Sequence, residues 1–431
     1  MGGMFDSLRN AWKIADLRKR LLFTIVMLII YRIGSHIPVP GLDPKEFEEL
    51  LNRAGSLGGF FDIITGGAFK LATIFAMSIT PYINASIIMQ LLTVAIPALE
   101  RLQKEGEEGR KKIQQWVRYG TVILAFIQAT GLYISMRSAV VDGGSVLSFI
   151  TVTFSFTAGT AFLMWLGEQI NEYGIGNGIS LIIFAGILSR GPQSFLTMVK
   201  YYESGVFGKG ILGILTILVI IAVFIAVVAA VIWVQQAERR IPIQYAKRVV
   251  GRKMYGGQNT HLPIKVNLAG VIPIIFAMSI MAFPSTIITF FFQNSTNPIV
   301  VWFKNAQSNS VLYALVYAFL IIAFTFFYSI IQFNPVEIAN NLKKNGGFIP
   351  GLRPGKPTSD YIYKVLNRIT WFGGFFLAAV TIFPIILGNL TRISGLWFGG
   401  TALLILVGVA LDTIRQVESQ MIMRHYKGFL E

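Results

Sequence analysis

The chain has 431 residues, 54% of them hydrophobic and 13% charged, with mean hydropathy +0.62 and a formal net charge of +16. A soluble fold of this length lacks the interior to hide so much apolar side chain, and disorder, collagen and coiled coil are excluded by the same composition. There is no cysteine, and His36, His261 and His425 lie in separate segments, which removes disulfides and thiol chemistry and argues against a metal centre.

From the N-terminus, residues 5–15 are compatible with an amphipathic helix on a membrane surface, with Phe5, Leu8, Trp12 and Ala15 near one face, and equally with an ordinary basic flank. About ten stretches follow that are long and apolar enough to cross a bilayer. They are 21–38, 71–96, 115–136, 149–170, 178–198, 210–234, 267–292, 310–332, 366–388 and 396–414. The first lacks a small-residue cleavage site, so no cleavable signal peptide is expected. Lipid forces backbone polar groups to pair within each segment, so the expected fold is an all-α polytopic bundle.

Residues 39–70 are too polar to span, yet 58–69 are apolar and edged by the pairs Gly58-Gly59 and Gly66-Gly67. A re-entrant helix and an interfacial cap are both compatible with that pattern. Pro81, Pro273, Pro284 and Pro384 fall inside predicted spans and predict kinks. Ile79 and Ile83 share a face near Pro81, and Ile179 and Ile183 repeat the spacing in the fifth span. Such pairs serve plain packing or an apolar constriction that excludes water. Gly174-Ile175-Gly176-Asn177-Gly178 lacks the dinucleotide spacing and reads as a tight turn, with Asn177 near the start of a helix. In the loop 235–266, Ile241, Ile243 and Tyr245 alternate as in a short strand or hairpin. The loop 333–365 is rich in Pro and Gly and predicts turns.

With the N-terminus placed in the cytoplasm, 27 of the 37 Lys and Arg fall on that side and 9 on the other, with Arg32 inside the first span. This is a strong positive-inside pattern and puts both termini in the cytoplasm. The two long cytoplasmic loops are basic, which suits an acidic or RNA-rich partner as well as simple topogenesis. No carboxylate sits at the centre of a span, which counts against an ion-coupled pump. A secondary transporter for a small solute is the alternative to a channel, and no catalytic or metal constellation appears in the spans.

Several ordered blocks then resemble one family, the SecY channels of the bacterial Sec translocon, over about residues 18–420. They include Pro81-Tyr82-Ile83-Asn84-Ala85-Ser86, Lys104-Glu105-Gly106-Glu107, Trp165-Leu166-Gly167-Glu168-Gln169-Ile170, Thr260-His261-Leu262-Pro263-Ile264-Lys265-Val266-Asn267, Phe333-Asn334-Pro335 and Pro350-Gly351-Leu352-Arg353-Pro354-Gly355. The resemblance implies ten transmembrane helices in two inverted, pseudo-symmetric halves, 1–200 and 201–431, around a central pore. It implies a passive protein-conducting channel, without cofactor or catalysis, for secretion of unfolded preproteins and lateral insertion of membrane proteins at the bacterial cytoplasmic (inner) membrane. A pore ring falls on Ile79, Ile83, Ile179, Ile183, Ile275 and Ile405. A plug covers about 58–70, with Phe60, Phe61, Ile63, Ile64, Gly66 and Gly67. Gln90, Asn177 and Ser279 match a polar cluster at a lateral gate for signal sequences. Arg252, Lys253, Arg353 and Lys356 match loop positions that dock the motor ATPase SecA or the ribosome. SecE and SecG are the implied companion subunits, signal-bearing preproteins the clients and lipid, including anionic lipid, the surroundings; DNA is not an expected partner.

Overall fold

The computed structural model describes residues 11–43, 45–46, 66–140, 144–205, 210–245, 248–250, 253–255, 259–291, 297–298, 300–302, 310–391 and 400–427. Its helices are α1 (Ala15–Gly34), α2 (Thr80–Ala95), α3 (Pro97–Lys104), α4 (Glu107–Ser135), α5 (Val146–Tyr173), α6 (Gly178–Ser189), α7 (Gly191–Glu203), α8 (Ile211–Gln236), α9 (Ile272–Phe291), α10 (Ser310–Gln332), α11 (Pro335–Lys344), α12 (Lys356–Thr391) and α13 (Gly400–Lys427). Five short strands are β1 (Glu238–Tyr245), β2 (Arg248–Val250), β3 (Lys253–Tyr255), β4 (Asn259–Lys265) and β5 (Gly347–Phe348). Among the described residues, seven helices are long and apolar enough to cross a membrane, or eight if α2 and α3, which meet at 101°, form one bent span. The protein is therefore a multi-pass membrane protein. Its long helices expose rows of Ile, Leu, Val and Phe, and only 11% of the most apolar window of α8 is buried. Lipid, as apolar as those side chains, solvates such faces.

The predicted second span is shorter than expected. Residues 66–79 run as irregular turns, tied back by a bridge between Pro38 and Thr73, and the helix begins only at Thr80. The reason is Pro81. It occupies the first turn of α2, where no backbone N–H is needed, so it starts a helix instead of kinking one. Pro273 is likewise the second residue of α9. Pro284 and Pro384 do lie inside α9 and α12.

The helices pack in two groups. The first joins α1, α2, α4, α5 and α6, and the second joins α8, α9, α10, α12 and α13. The groups meet where α9 packs on α2 and α4, and where α13 packs on α6. The largest apolar core threads both contacts, running from Tyr31 and Phe75 through Leu163, Ile182 and Ile274 to Leu377 and Leu404.

The long polar loops fold into a small unit of their own. β1 pairs antiparallel with β4, from Glu238 opposite Lys265 to Gln244 opposite Asn259, which bears out the strand expected from the alternating isoleucines. Ile241 and Ile243 point inward, against Ile264, Leu342, Ile349, Ile362 and Leu366. β5, from the second loop, pairs with the other edge of β1 and gives the sheet order β4-β1-β5. The second loop is also more helical than its Pro and Gly content suggested. Asn334 Oδ1 accepts from the N–H groups of Val336 and Glu337, Pro335 follows it, and together they start α11.

Candidate functional site

The six singled-out isoleucines come from four separate helices, and each lies within the first six residues of its helix or just before it. Ile79 is the N-cap of α2 and Ile83 is in its first turn. Ile179 and Ile183 open α6, Ile275 opens α9 and Ile405 lies in the second turn of α13. All six belong to the largest apolar core, with Ile79, Ile83, Ile183, Ile275 and Ile405 at most 5% exposed and Ile179 partly buried against that core. Both packing groups contribute, so the cluster sits on the boundary between them. The six side chains themselves are all branched hydrocarbon, with no charge to hold water or an ion.

Beside the cluster, α9 packs along α2 and α4, and one polar contact joins that seam. Tyr328, on α10, donates its phenolic O–H to Gln90 Oε1 on α2, while Gln90 Nε2 donates to Ser86 Oγ at 3.2 Å. The Tyr328 ring is held by Phe276 of α9 in an edge-to-face contact, with centroids 5.1 Å apart. Ser279 is buried on α9. Sequence reading missed Tyr328, because a tyrosine in an apolar helix carries no signal until its partner 238 residues away is known. Asn177 is placed differently from Gln90. Its Oδ1 accepts from the Ser180 N–H at 3.0 Å and caps α6. That is the local role its position after a glycine turn suggested.

Of the segment 58–70, Phe60, Phe61, Ile63 and Ile64 lie outside the described residues. Gly66 and Gly67 turn with φ of +64° and +91°. The Gly66 carbonyl accepts from Arg32 Nη1 at 3.4 Å and lies 3.3 Å from Ser189 Oγ, whose hydroxyl donates to the Gly186 carbonyl at 2.6 Å. A Cβ on Gly66 would stand 2.6 Å from the Gly186 carbonyl oxygen, so the glycine lets the chain lie directly on α6. Arg32, inside the first predicted span, thereby has a backbone acceptor.

On the loop unit, Lys253 opens β3 and Arg252 lies outside the described residues. Arg353 and Lys356 are exposed on the turn that leads into α12. The turn is fixed by Thr358 Oγ1, which donates to the Arg353 carbonyl at 2.8 Å, so the guanidinium is presented from a braced backbone.

The comparisons with known proteins agree with this architecture. The SecY family profile matches residues 73–414. The protein translocase subunit SecY of Halalkalibacterium halodurans is 47% identical over 434 residues, covering 99% of this chain and 100% of the relative. A solved SecY channel, described for a plug domain that stabilises its closed state and maintains a membrane seal, aligns with TM-score 0.66 and 19% identity, covering 94% of this chain and 92% of that one. The Sec61 channel from a canine ribosome-channel complex aligns with TM-score 0.61 and 20% identity, covering 94% and 93%. At those identities the structural likeness speaks for the fold, and the sequence likeness carries the family. The chain belongs to the SecY family, the channel subunits of protein translocases.

Proposed function

We propose that the six-isoleucine cluster is the closed constriction of a polypeptide-conducting pore. The observation that carries this reading is that Ile79, Ile83, Ile179, Ile183, Ile275 and Ile405, from four helix starts, all lie in the apolar core shared by the two packing groups. An apolar neck is costly for ions to cross, because hydration is lost and nothing replaces it. The same neck yields to a polypeptide, whose side chains it contacts without specific bonds. The two groups correspond to the halves 1–200 and 201–431, and segment 58–70 acts as the plug. The contact of its Gly66 carbonyl with Arg32, and the seal attributed to the plug domain of the solved SecY, support that assignment.

The seam between α2 and α4 on one side and α9 and α10 on the other is the lateral gate. A signal sequence parts it and partitions into lipid, with the transfer energies that define any transmembrane helix. The Gln90–Tyr328 hydrogen bond supports the gate reading, since it spans the seam. Arg252, Lys253, Arg353 and Lys356 dock SecA or a ribosome, in keeping with the ribosome-bound state of the Sec61 neighbour. The chain supplies no energy itself. It works with SecE and SecG in the bacterial cytoplasmic (inner) membrane, both termini in the cytoplasm.

The test is reconstitution. The chain is placed with SecE in proteoliposomes and given SecA, ATP and a signal-bearing precursor, and protease protection of the precursor is measured. ATP-dependent protection that disappears with the signal is expected. Absence of protection, with the same SecA active on a control channel, would refute the reading and direct attention to small-solute uptake.

A further inference from the structure

The turn between α5 and α6, residues 174–177, has an unusual way of satisfying its backbone. The Ile175 N–H donates to Thr24 Oγ1 of α1 at 3.0 Å. The Gly176 N–H donates to Gln416 Oε1 of α13 at 2.8 Å. The Gly178 N–H donates to Asn171 Oδ1 of α5 at 2.7 Å, and the Ser180 N–H goes to the Asn177 cap. Helix starts leave N–H groups without intrahelical acceptors, and here each of these four is taken by a named side chain. Three of the acceptors come from the same packing group as the turn. The fourth, Gln416, reaches across from the other group, 240 residues away.

The fit around that bond is close. Gly176 has φ +94°, and a Cβ there would stand 2.7 Å from Leu181 Cδ1 and 3.2 Å from Thr413 Oγ1. One residue beyond Gln416, Val417 is buried with Ile175, Leu17 and Ala11. A single turn of α13, 413–417, is thus seated on the turn that starts α6. Those two helices carry three of the six isoleucines. Ile179 and Ile183 follow Gly176 within seven residues, and Ile405 precedes Gln416 by eleven, about 16 Å along a helix.

We propose that Gln416 is a positioning residue that pins the axial register of α13 against α6, and so holds Ile405 level with Ile179 and Ile183 in the closed channel. The inference rests on the constriction reading above. A straight helix transmits an axial shift along its length, so slippage at Gln416 displaces Ile405 by a similar distance. The contact also lies at the α13–α6 boundary, away from the α2–α9 seam, so it keeps the halves joined while the seam parts. The bond is made at the rim, with Gly176 buried and Gln416 exposed. Its loss therefore removes one hydrogen bond and leaves the Gly176 N–H without that acceptor.

The experiment compares Gln416→Met, which keeps length and removes the acceptor, with Gln416→Glu, which keeps an acceptor oxygen. Each is reconstituted with SecE in planar bilayers, resting ion conductance is recorded, and thermal unfolding of each is followed in detergent. Gln416→Met should raise resting channel openings about two- to tenfold, the range one net hydrogen bond supports, while Gln416→Glu stays at the parent level and both unfold at the parent temperature. The control is Ile83→Gly with Ile183→Gly, which breaks the constriction directly. A leaking control with a silent Gln416→Met overturns the pin and leaves the constriction standing. Equal leaks from Met and Glu overturn it as well, since the acceptor would then be irrelevant. A control that stays sealed overturns the constriction reading and the pin with it.

Discussion

Tyr328→Phe removes one oxygen from the seam and little else. The ring stays buried, and its contacts with Phe276 and Phe327 need no hydroxyl. Gln90 Oε1 loses its donor, while Gln90 Nε2 keeps Ser86. A neutral hydrogen bond contributes about 0.5–1.5 kcal/mol net, and a stranded acceptor costs more when it is fully buried. Gln90 is only partly buried, so about 1 kcal/mol is the reasonable value. If the bond exists only while the seam is closed, that free energy comes off the closed state. The opening equilibrium then shifts about fivefold. The assay is SecA-driven transport, in proteoliposomes, of a precursor whose signal is weakened so that seam opening limits the rate. Tyr328→Phe should raise transport of that precursor about fivefold and change little for a precursor with a strong signal. Gln90→Leu should act alike, and the double variant should be no stronger than either single change, because both remove the same bond. Wild-type transport by Tyr328→Phe, or additive effects in the double variant, would refute a role for the Gln90–Tyr328 bond in holding the seam closed.

Three further outcomes are expected. Ile83→Gly with Ile183→Gly should conduct ions at rest in planar bilayers, since two of the six apolar side chains that exclude water are gone; an unchanged resting conductance would count against the constriction. Arg353→Glu should lower SecA-driven transport roughly tenfold or more, because a like charge at a docking surface costs several kcal/mol. The side chain is exposed, so thermal stability should hold, and equal loss of transport and of membrane-protein insertion would point to misfolding instead. Gly66→Ala should lower stability by about 2–5 kcal/mol, from the left-handed φ and the 2.6 Å approach to Gly186 together, and thermal unfolding in detergent measures it.

What the sequence discloses and what it hides divide along physical lines. Bilayer thickness imposes a length on apolar runs, so the helices could be placed from composition along the chain. The alternation of Ile241 and Ile243 disclosed β1 for the same kind of reason, since a two-residue period has one buried face. Pro81 and Pro273 misled because proline carries one signal for two geometries, a kink within a helix and the first turn of a new one. Only knowing that 66–79 is irregular decides between them. β5 joined the sheet without warning, because two residues have no period to detect. Tyr328 and Gln416 were missed for a deeper reason. Each makes its bond across about 240 residues of chain, and nothing local marks a lone Tyr or Gln as one half of a contact.

The isoleucines pose the opposite problem, since the sequence marks them and core packing alone explains them. A closed apolar constriction is a core: its side chains are buried against one another and its chemistry is that of any helix interface. What separates it from an ordinary core is what surrounds it. Between the groups, the boundary carries the apolar core together with two polar contacts, the Gln90–Tyr328 bond and the Gln416–Gly176 bond. Apolar contact has no preferred register and gives little resistance to sliding, whereas a hydrogen bond has both direction and length. A boundary made of hydrocarbon between two polar fastenings can therefore part at one fastening while the other keeps its alignment. A uniform apolar interface would slip, and a uniformly polar one would conduct water and ions. On the proposed reading, the position of these few polar side chains, more than the number of isoleucines, lets this interface open and reseal.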